Sequence, residues 1–237
     1  MNKVEPIKDA DKLRWIQEDL GGRTDRHNER MFLLFELGIH TGLRICDLVR
    51  LRVENVDGDG IRTIEKKTGK ETYIPLNVTI RAIIQDRTRG LDGRALLFPS
   101  RCGDGDSNPK PITTRTAYND MQIIARRYGL RGNIGCHTLR KTFGYWHYKQ
   151  NGNLALLRGW FNHTDDSVTM RYIGMDDEEK RKSVEGFNPG GAVYTPRGSI
   201  YRGRPRETGK PIEVEHLDRE KQGRMMGDRA KAKREKK

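Results

Sequence analysis

Apolar positions recur at helical spacing along most of this chain and shift to a strand-like period in one place. In "VEPIKDADKLRWIQEDLGG", Leu13, Ile16 and Leu20 share a face, Asp9 stands where an N-cap belongs, and two glycines end the run. This pattern predicts a short amphipathic helix. "DRHNERMFLLFELGIHTG" predicts a second, more buried helix ending at Gly42, and "RICDLVRLRVENV" a brief third. In "GIRTIEKKTGKETYIPL" the period shortens, and residues 61–65 and 71–75 flank the turn-forming "KTGK". The expectation there is a β-hairpin with lysines at its tip. Asn77 is placed to cap a helix through about Gln85, and "RALLFPSRCGDGDSNPKP" reads as a short strand followed by a Gly/Asp/Pro loop. Helical spacing returns over residues 113–128 and in "HTLRKTFGYWHYKQNG", closed by Gly152. It continues in "NLALLRGWF", in "DDSVTMRYIG" up to Gly174, and in a last short helix, "DDEEKRKSVEGF". The fold class expected is α+β, mostly helical, with a small antiparallel hairpin on one edge.

After Asn188 the pattern dissolves into Gly, Pro and charge, with few large apolar residues. Residues 1–188 are therefore expected to form one globular domain and residues 189–237 a basic, flexible tail, because such a tail cannot bury enough apolar surface to offset its ordering entropy. Its Arg202, Arg204 and Arg206, interleaved with Tyr194 and Tyr201, suit phosphate contact and base stacking, although a solvated tail without a target has the same composition.

The formal net charge of +13 points to a polyanionic partner, DNA or RNA ahead of an anionic membrane surface. The longest apolar run, "MFLLFELGI", is interrupted by Glu36, and no membrane span or signal peptide is read, so a cytoplasmic location is expected. Cys46, Cys102 and Cys136 form neither a disulfide framework nor a metal-ligand spacing, and Cys136 beside His137 reads as an interior thiol. No HExxH, paired CxxC or phosphate-loop motif occurs, so no metal and no cofactor are expected.

Chemistry gathers in four short stretches. Arg44 opens the third helix in "TGLRICDL", Lys67 lies at the hairpin tip, and "HTLRKTFG" sets His137 and Arg140 three apart. At that spacing on a helix both aim at one point while Leu139 and Phe143 turn inward. "NHTDDSVTMRY" puts His163 nine residues before Tyr172. Two guanidiniums, an ammonium, two imidazoles and a phenol suit in-line attack on a phosphodiester. Planar guanidiniums donate bidentately to non-bridging oxygens, an ammonium protonates the leaving oxygen, and a tyrosine stores the bond as a phosphotyrosine.

In this order the stretches resemble the tyrosine recombinases, the phage-integrase-like enzymes that break and rejoin DNA. The resemblance runs over residues 31–173, through "HTGLRICDLVRL", "KKTGKETYIPL", "HTLRKTFG" and "GWFNHTDDSVTMRYIG". It implies the family's catalytic-domain fold. It implies further that Arg44 and Arg140 clamp the scissile phosphate, that Lys67 is the general acid, and that His137 is an acid/base beside the nucleophile. His163 would bond a phosphate oxygen, Tyr172 would attack to leave a 3′-phosphotyrosyl bond and a free 5′-hydroxyl, and Asp47, one turn from Arg44, would orient active-site groups. The partners implied are double-stranded DNA, a homotetramer on two DNA sites and an accessory directionality factor.

Lys66 is an alternative to Lys67 for the acid role, since strand alternation would send the two to opposite faces and let one serve. Tyr145, Tyr148, Tyr194 and Tyr201 are rival nucleophiles in principle. Asn162 stands where the family commonly has Gly, which is expected to alter the loop before His163. About forty residues precede Arg44, so the layout resembles compact members without the usual N-terminal domain, such as invertases and recombinases of mobile elements; a truncated relic is the alternative. A catalytically silent DNA-binding regulator on the same fold is the competing functional reading, with a topoisomerase-like swivel and a basic RNA-binding protein behind it.

Overall fold

The computed structural model describes residues 4–100, 109–185, 187, 193–194 and 200–201. The chain divides into two compact units, Met1–Glu185 and Gly186–Lys237. The first unit runs through helices α1 (Ala10–Gly21), α2 (Arg26–Thr41) and α3 (Ile45–Leu48), then strands β1 (Val56–Asp57), β2 (Gly60–Ile64) and β3 (Glu71–Pro75). Six helices follow: α4 (Val78–Thr88), α5 (Thr114–Arg127), α6 (Thr138–Asn151), α7 (Leu154–Phe161), α8 (Asp166–Ile173) and α9 (Asp176–Glu185). Asp9 and Asn77 cap α1 and α4 as their positions suggested, each accepting an otherwise orphaned amide, from Lys12 and Ile80. None of the described helices is long and apolar enough to cross a membrane.

Helix α2 is the axis of the main core: Met31, Leu34, Phe35 and Leu37 are fully buried, and α1, α4, α5 and α6 pack around it. The sheet covers one edge, with antiparallel order β1-β2-β3. Ile61 faces Ile74 across the ladder and both are buried, whereas the neighbouring pair Arg62 and Tyr73 points outward, with the guanidinium over the ring. Strand β1 adds to the expected hairpin. The stretch expected as a strand around "RALLF" is not one: it makes isolated bridges, Arg52 with Leu96 and Pro99 with Pro111. Leu96, Leu97 and Phe98 are buried in succession, without the alternation of a half-buried strand, and Pro99 has no amide to extend a ladder. The Gly/Asp/Pro loop expected after it lies largely outside the described residues.

A second core, of Phe143, Tyr145, Leu157, Phe161, Ile173 and Met175, joins α6, α7 and α8. Gly144 makes it possible: a Cβ there would meet Ile173 and Phe161 at 2.6–2.7 Å. Gly42 ends α2 in the left-handed conformation at φ 63°, with the Phe143 ring packed where a side chain would grow. The indole of Trp160 on α7 donates to the Thr41 carbonyl at 3.0 Å, tying the two cores together. Helix α9 is fixed to its own body through Glu178, which accepts from Tyr145 and pairs with Lys8 and Lys149. Burial pushes this carboxyl up, but hydrogen bonds from Lys149 and Tyr145 and the nearby ammonium charges outweigh it and hold the pKa at about 2.

In the second unit, β4 (Val193–Tyr194) pairs antiparallel with β5 (Ile200–Tyr201), an element the sequence pattern did not suggest. Arg202, Arg204 and Arg206 lie outside the described residues.

Candidate active site

Four local structures bring the singled-out residues together. The C-terminal end of α2 stops at Gly42, and Arg44 follows as the residue before α3. The side chain of Arg44 is largely buried and pairs with Glu65 at 2.8 Å. Glu65 ends the inward face of β2, below Ile61 and Thr63, and is itself buried. Burial alone would raise its pKa; hydrogen bonds from Thr68 and Arg44 prevail and hold it below the ordinary carboxylate value. Glu65 was not among the candidate residues. Its one trace in the sequence was an acid two and four residues after Thr63 and Ile61, on the side of the chain that carries the buried Ile61.

Arg140 is 4% exposed, donates to the Gly42 carbonyl, and stacks its guanidinium 4.5 Å above the Phe161 ring. Desolvation lowers its pKa, yet a guanidinium stays charged at neutral pH. His137 has helical backbone angles and its carbonyl accepts the Lys141 amide at 2.9 Å. It is the N-cap of α6, exposed at the mouth of the site, and Arg140 reaches the same place from the buried first turn.

Tyr172 stands on α8 with its hydroxyl 3.5 Å from His137 Nδ1. Its ring meets Phe161 and His163 edge-on, at 5.3 and 5.0 Å between centroids. Burial raises the phenol pKa, while the charge of Arg140, a hydrogen bond from it, and the charge of Arg44 act in the opposite direction. His163 is half-buried, and its Nδ1 lies 3.1 Å from Thr169 Oγ1 on α8. The imidazole pKa values of His137 and His163 are both lowered. Desolvation is the first cause for each, reinforced by Arg140 and Arg44, and for His137 also by Lys141 and Lys67. Among the residues singled out, Arg44, His137, Arg140, His163 and Tyr172 thus share one electrostatic environment.

Asp47 is 2% exposed, and its Oδ1 accepts the Lys66 backbone amide at 2.8 Å, fastening the hairpin tip to α3. Lys66 and Lys67 both lie in the turn beyond β2, which ends at Ile64, so strand alternation does not choose between them. Their roles differ through the backbone: the Lys66 amide is tethered, and the exposed Lys67 ammonium acts electrostatically on His137. Asn162 adopts φ 54° at the end of α7, the left-handed conformation a glycine there would also provide. The loop alteration expected from this residue is therefore not seen.

Of the rival tyrosines, Tyr145 is bonded to Glu178 and Tyr148 packs at the edge of the second core. The side chains of Tyr194 and Tyr201 are outside what the structure describes.

The chain and its fold have counterparts among known proteins. The model of the phage integrase family matches residues 14–179. The chain is 34% identical over 188 residues to the probable integrase/recombinase YoeC of Bacillus subtilis, a match covering 79% of this chain and 98% of YoeC. It is 26% identical to the tyrosine recombinase XerC of Xanthomonas campestris, over 66% of this chain and 48% of that protein, so it spans about half of the XerC length. Among solved structures, the fold is similar to XerA recombinase, with TM-score 0.60 and 17% identity over 78% of this chain and 65% of that one. It is also similar to the catalytic domain of bacteriophage HP1 integrase, with TM-score 0.53 and 18% identity over 79% and 96% of the two chains.

Proposed function

Because the chain belongs to the phage integrase family, with the family model spanning residues 14–179, we propose that it cleaves and rejoins double-stranded DNA at specific sites through a tyrosyl-linked intermediate. The observation that carries this reading is the placement of the Tyr172 hydroxyl 3.5 Å from His137 Nδ1, within the field of Arg140 and Arg44.

In this mechanism the Tyr172 oxygen attacks the phosphorus, and His137 Nδ1, neutral because of its lowered pKa, receives the phenol proton. Arg44 and Arg140 bind the non-bridging oxygens as charge accumulates on them, and His163 donates to the same group. The bond from phosphorus to the 5′ oxygen breaks as Lys67 supplies a proton to that oxygen. Each bond broken is replaced by one formed, so a 5′-hydroxyl from another strand reverses the sequence without an external energy source. Asp47 keeps Lys67 in range by holding the adjacent amide. The exposed position of Lys67 suits this role, since its ammonium is open to a DNA backbone while the adjacent amide stays tethered.

Exchange between two duplexes requires four strand cuts, so the proposal extends to a homotetramer on two sites, with an accessory factor setting direction, in the compartment that holds the DNA. The test is capture on a nicked duplex, from which the short cleaved end diffuses away. Protein that stays on DNA after denaturation, with the nucleotide mapped to the Tyr172 peptide by mass spectrometry, supports the reading; a linkage at another residue overturns the assignment of the nucleophile.

A further inference from the structure

Residues 4–9 have no helix or strand conformation, yet they contact the loop leading to His137, helix α6 and the glycine that ends α8. The Glu5 amide donates to the Asn133 carbonyl at 2.9 Å, in the loop leading to His137. The Ile7 amide donates to Thr142 Oγ1, and the Trp146 indole donates back to the Ile7 carbonyl, both at 2.9 Å, so the segment is laced to α6. At the other end, the Lys8 ammonium donates to the Gly174 carbonyl at 2.7 Å, two residues after Tyr172, and the Pro6 ring lies against Gly174.

Between these anchors lies Lys141, a lysine only 6% exposed and directly after Arg140. Its ammonium donates to the Val4 carbonyl at 2.8 Å and sits 4.9 Å from the centroid of the Tyr172 ring. A buried ammonium is costly unless something holds it, and here a backbone carbonyl of the N-terminal segment and an aromatic face do so. The same cation favours the more electron-rich phenolate ring over the phenol, so it suits Tyr172 at the moment of attack as well as at rest.

We propose that residues 4–9 act as a strap that positions the nucleophile, with Lys141 as the positioning residue through which the strap acts on Tyr172. Helix α8 has only eight residues, and a small change in χ1 of its tyrosine, or a small shift of the helix, would carry the hydroxyl off the line of attack. The strap limits such movement from two sides, at the ring through Lys141 and at the helix end through Lys8 and Pro6. This inference rests on the assignment of Tyr172 as the nucleophile.

The experiment compares wild type with Lys141→Met, Lys141→Arg and Lys8→Met in the full chain. DNA affinity is measured by fluorescence anisotropy and single-turnover adduct formation on a nicked duplex. Because the Lys141 ammonium is directed at Val4 and the Tyr172 ring, Lys141→Met is expected to leave affinity unchanged and to slow adduct formation about tenfold or more. Lys141→Arg, which keeps a cation over the ring, is expected to recover most of the rate. Lys8→Met, at an exposed position, is expected to slow it about threefold and to speed hydrogen exchange of the α8 amides. The exchange measurement needs no DNA. An unchanged adduct rate in Lys141→Met, or a loss of rate matched by loss of affinity, overturns the proposal, as does α8 exchange indifferent to Lys8. No adduct from wild type would be the failure of the recombinase reading instead, and the exchange result would still decide whether the strap restrains α8.

Discussion

Asp47 Oδ1 accepts the backbone amide of Lys66 at 2.8 Å, joining the helix that follows Arg44 to the hairpin tip that bears Lys67. A buried carboxylate thus sets the position of its neighbour's lysine without touching it. Asp47→Asn keeps an acceptor oxygen and is expected to retain most cleavage activity. Asp47→Ala leaves the amide of the exposed Lys66 to water, so the loss is that of an ordinary hydrogen bond, about 0.5–1.5 kcal/mol. Melting temperature and cleavage rate measured together check this: both fall in the alanine variant, and the asparagine variant stays near wild type.

Arg140→Lys tests the clamp. The guanidinium uses one edge on the Gly42 carbonyl and its face on Phe161, and donates to Tyr172, leaving the other donors for phosphate. An ammonium cannot divide itself this way. Cleavage is expected to fall by about a hundredfold or more, the scale at which loss of one oxyanion donor is felt. A single-turnover rate on the nicked duplex measures it.

The acid limb of the cleavage profile reports His137. Its pKa is lowered by desolvation and by the charges of Arg140, Lys141, Arg44 and Lys67, so the imidazole stays neutral and able to accept a proton to below its ordinary value of about 6.5. Adduct formation is expected to hold level from pH 8 down to about 6.5 and to decline only below it. A pH series of single-turnover rates shows where the decline begins, and His137→Gln removes the limb with most of the rate.

Glu36 gives a stability prediction away from the chemistry. It is buried on α2, hydrogen-bonded by Gln17 at 3.1 Å, and burial raises its pKa from 4.5 to about 7. The native state therefore binds more protons than the unfolded chain between these values, and its contribution to stability, complete below pH 4.5, is lost as pH rises through 7. Glu36→Gln removes this dependence. It is expected to gain about 2–4 kcal/mol relative to wild type on going from pH 4 to pH 8, by denaturant unfolding at the two values.

The helices and the order of their motifs were legible because they depend on local periodicity and on caps such as Asp9 and Asn77. The hairpin was legible for the same reason. What escaped the sequence depends on partners distant in the chain. Glu65 pairs with Arg44, from which α3, β1 and β2 separate it in the chain, Lys141 is held by Val4, and Asp47 acts on an amide, which has no side-chain signature. The three buried residues Leu96, Leu97 and Phe98 misled the reading because a continuously buried stretch has no period to separate strand from packed loop.

The central claim is that Tyr172 is the nucleophile, and the most direct test removes one atom from it. Wild type and Tyr172→Phe are incubated with a nicked duplex, denatured, and resolved for DNA-linked protein. A wild-type adduct that disappears in Tyr172→Phe, with DNA affinity retained, is the result expected; an adduct that persists in the variant would contradict the claim.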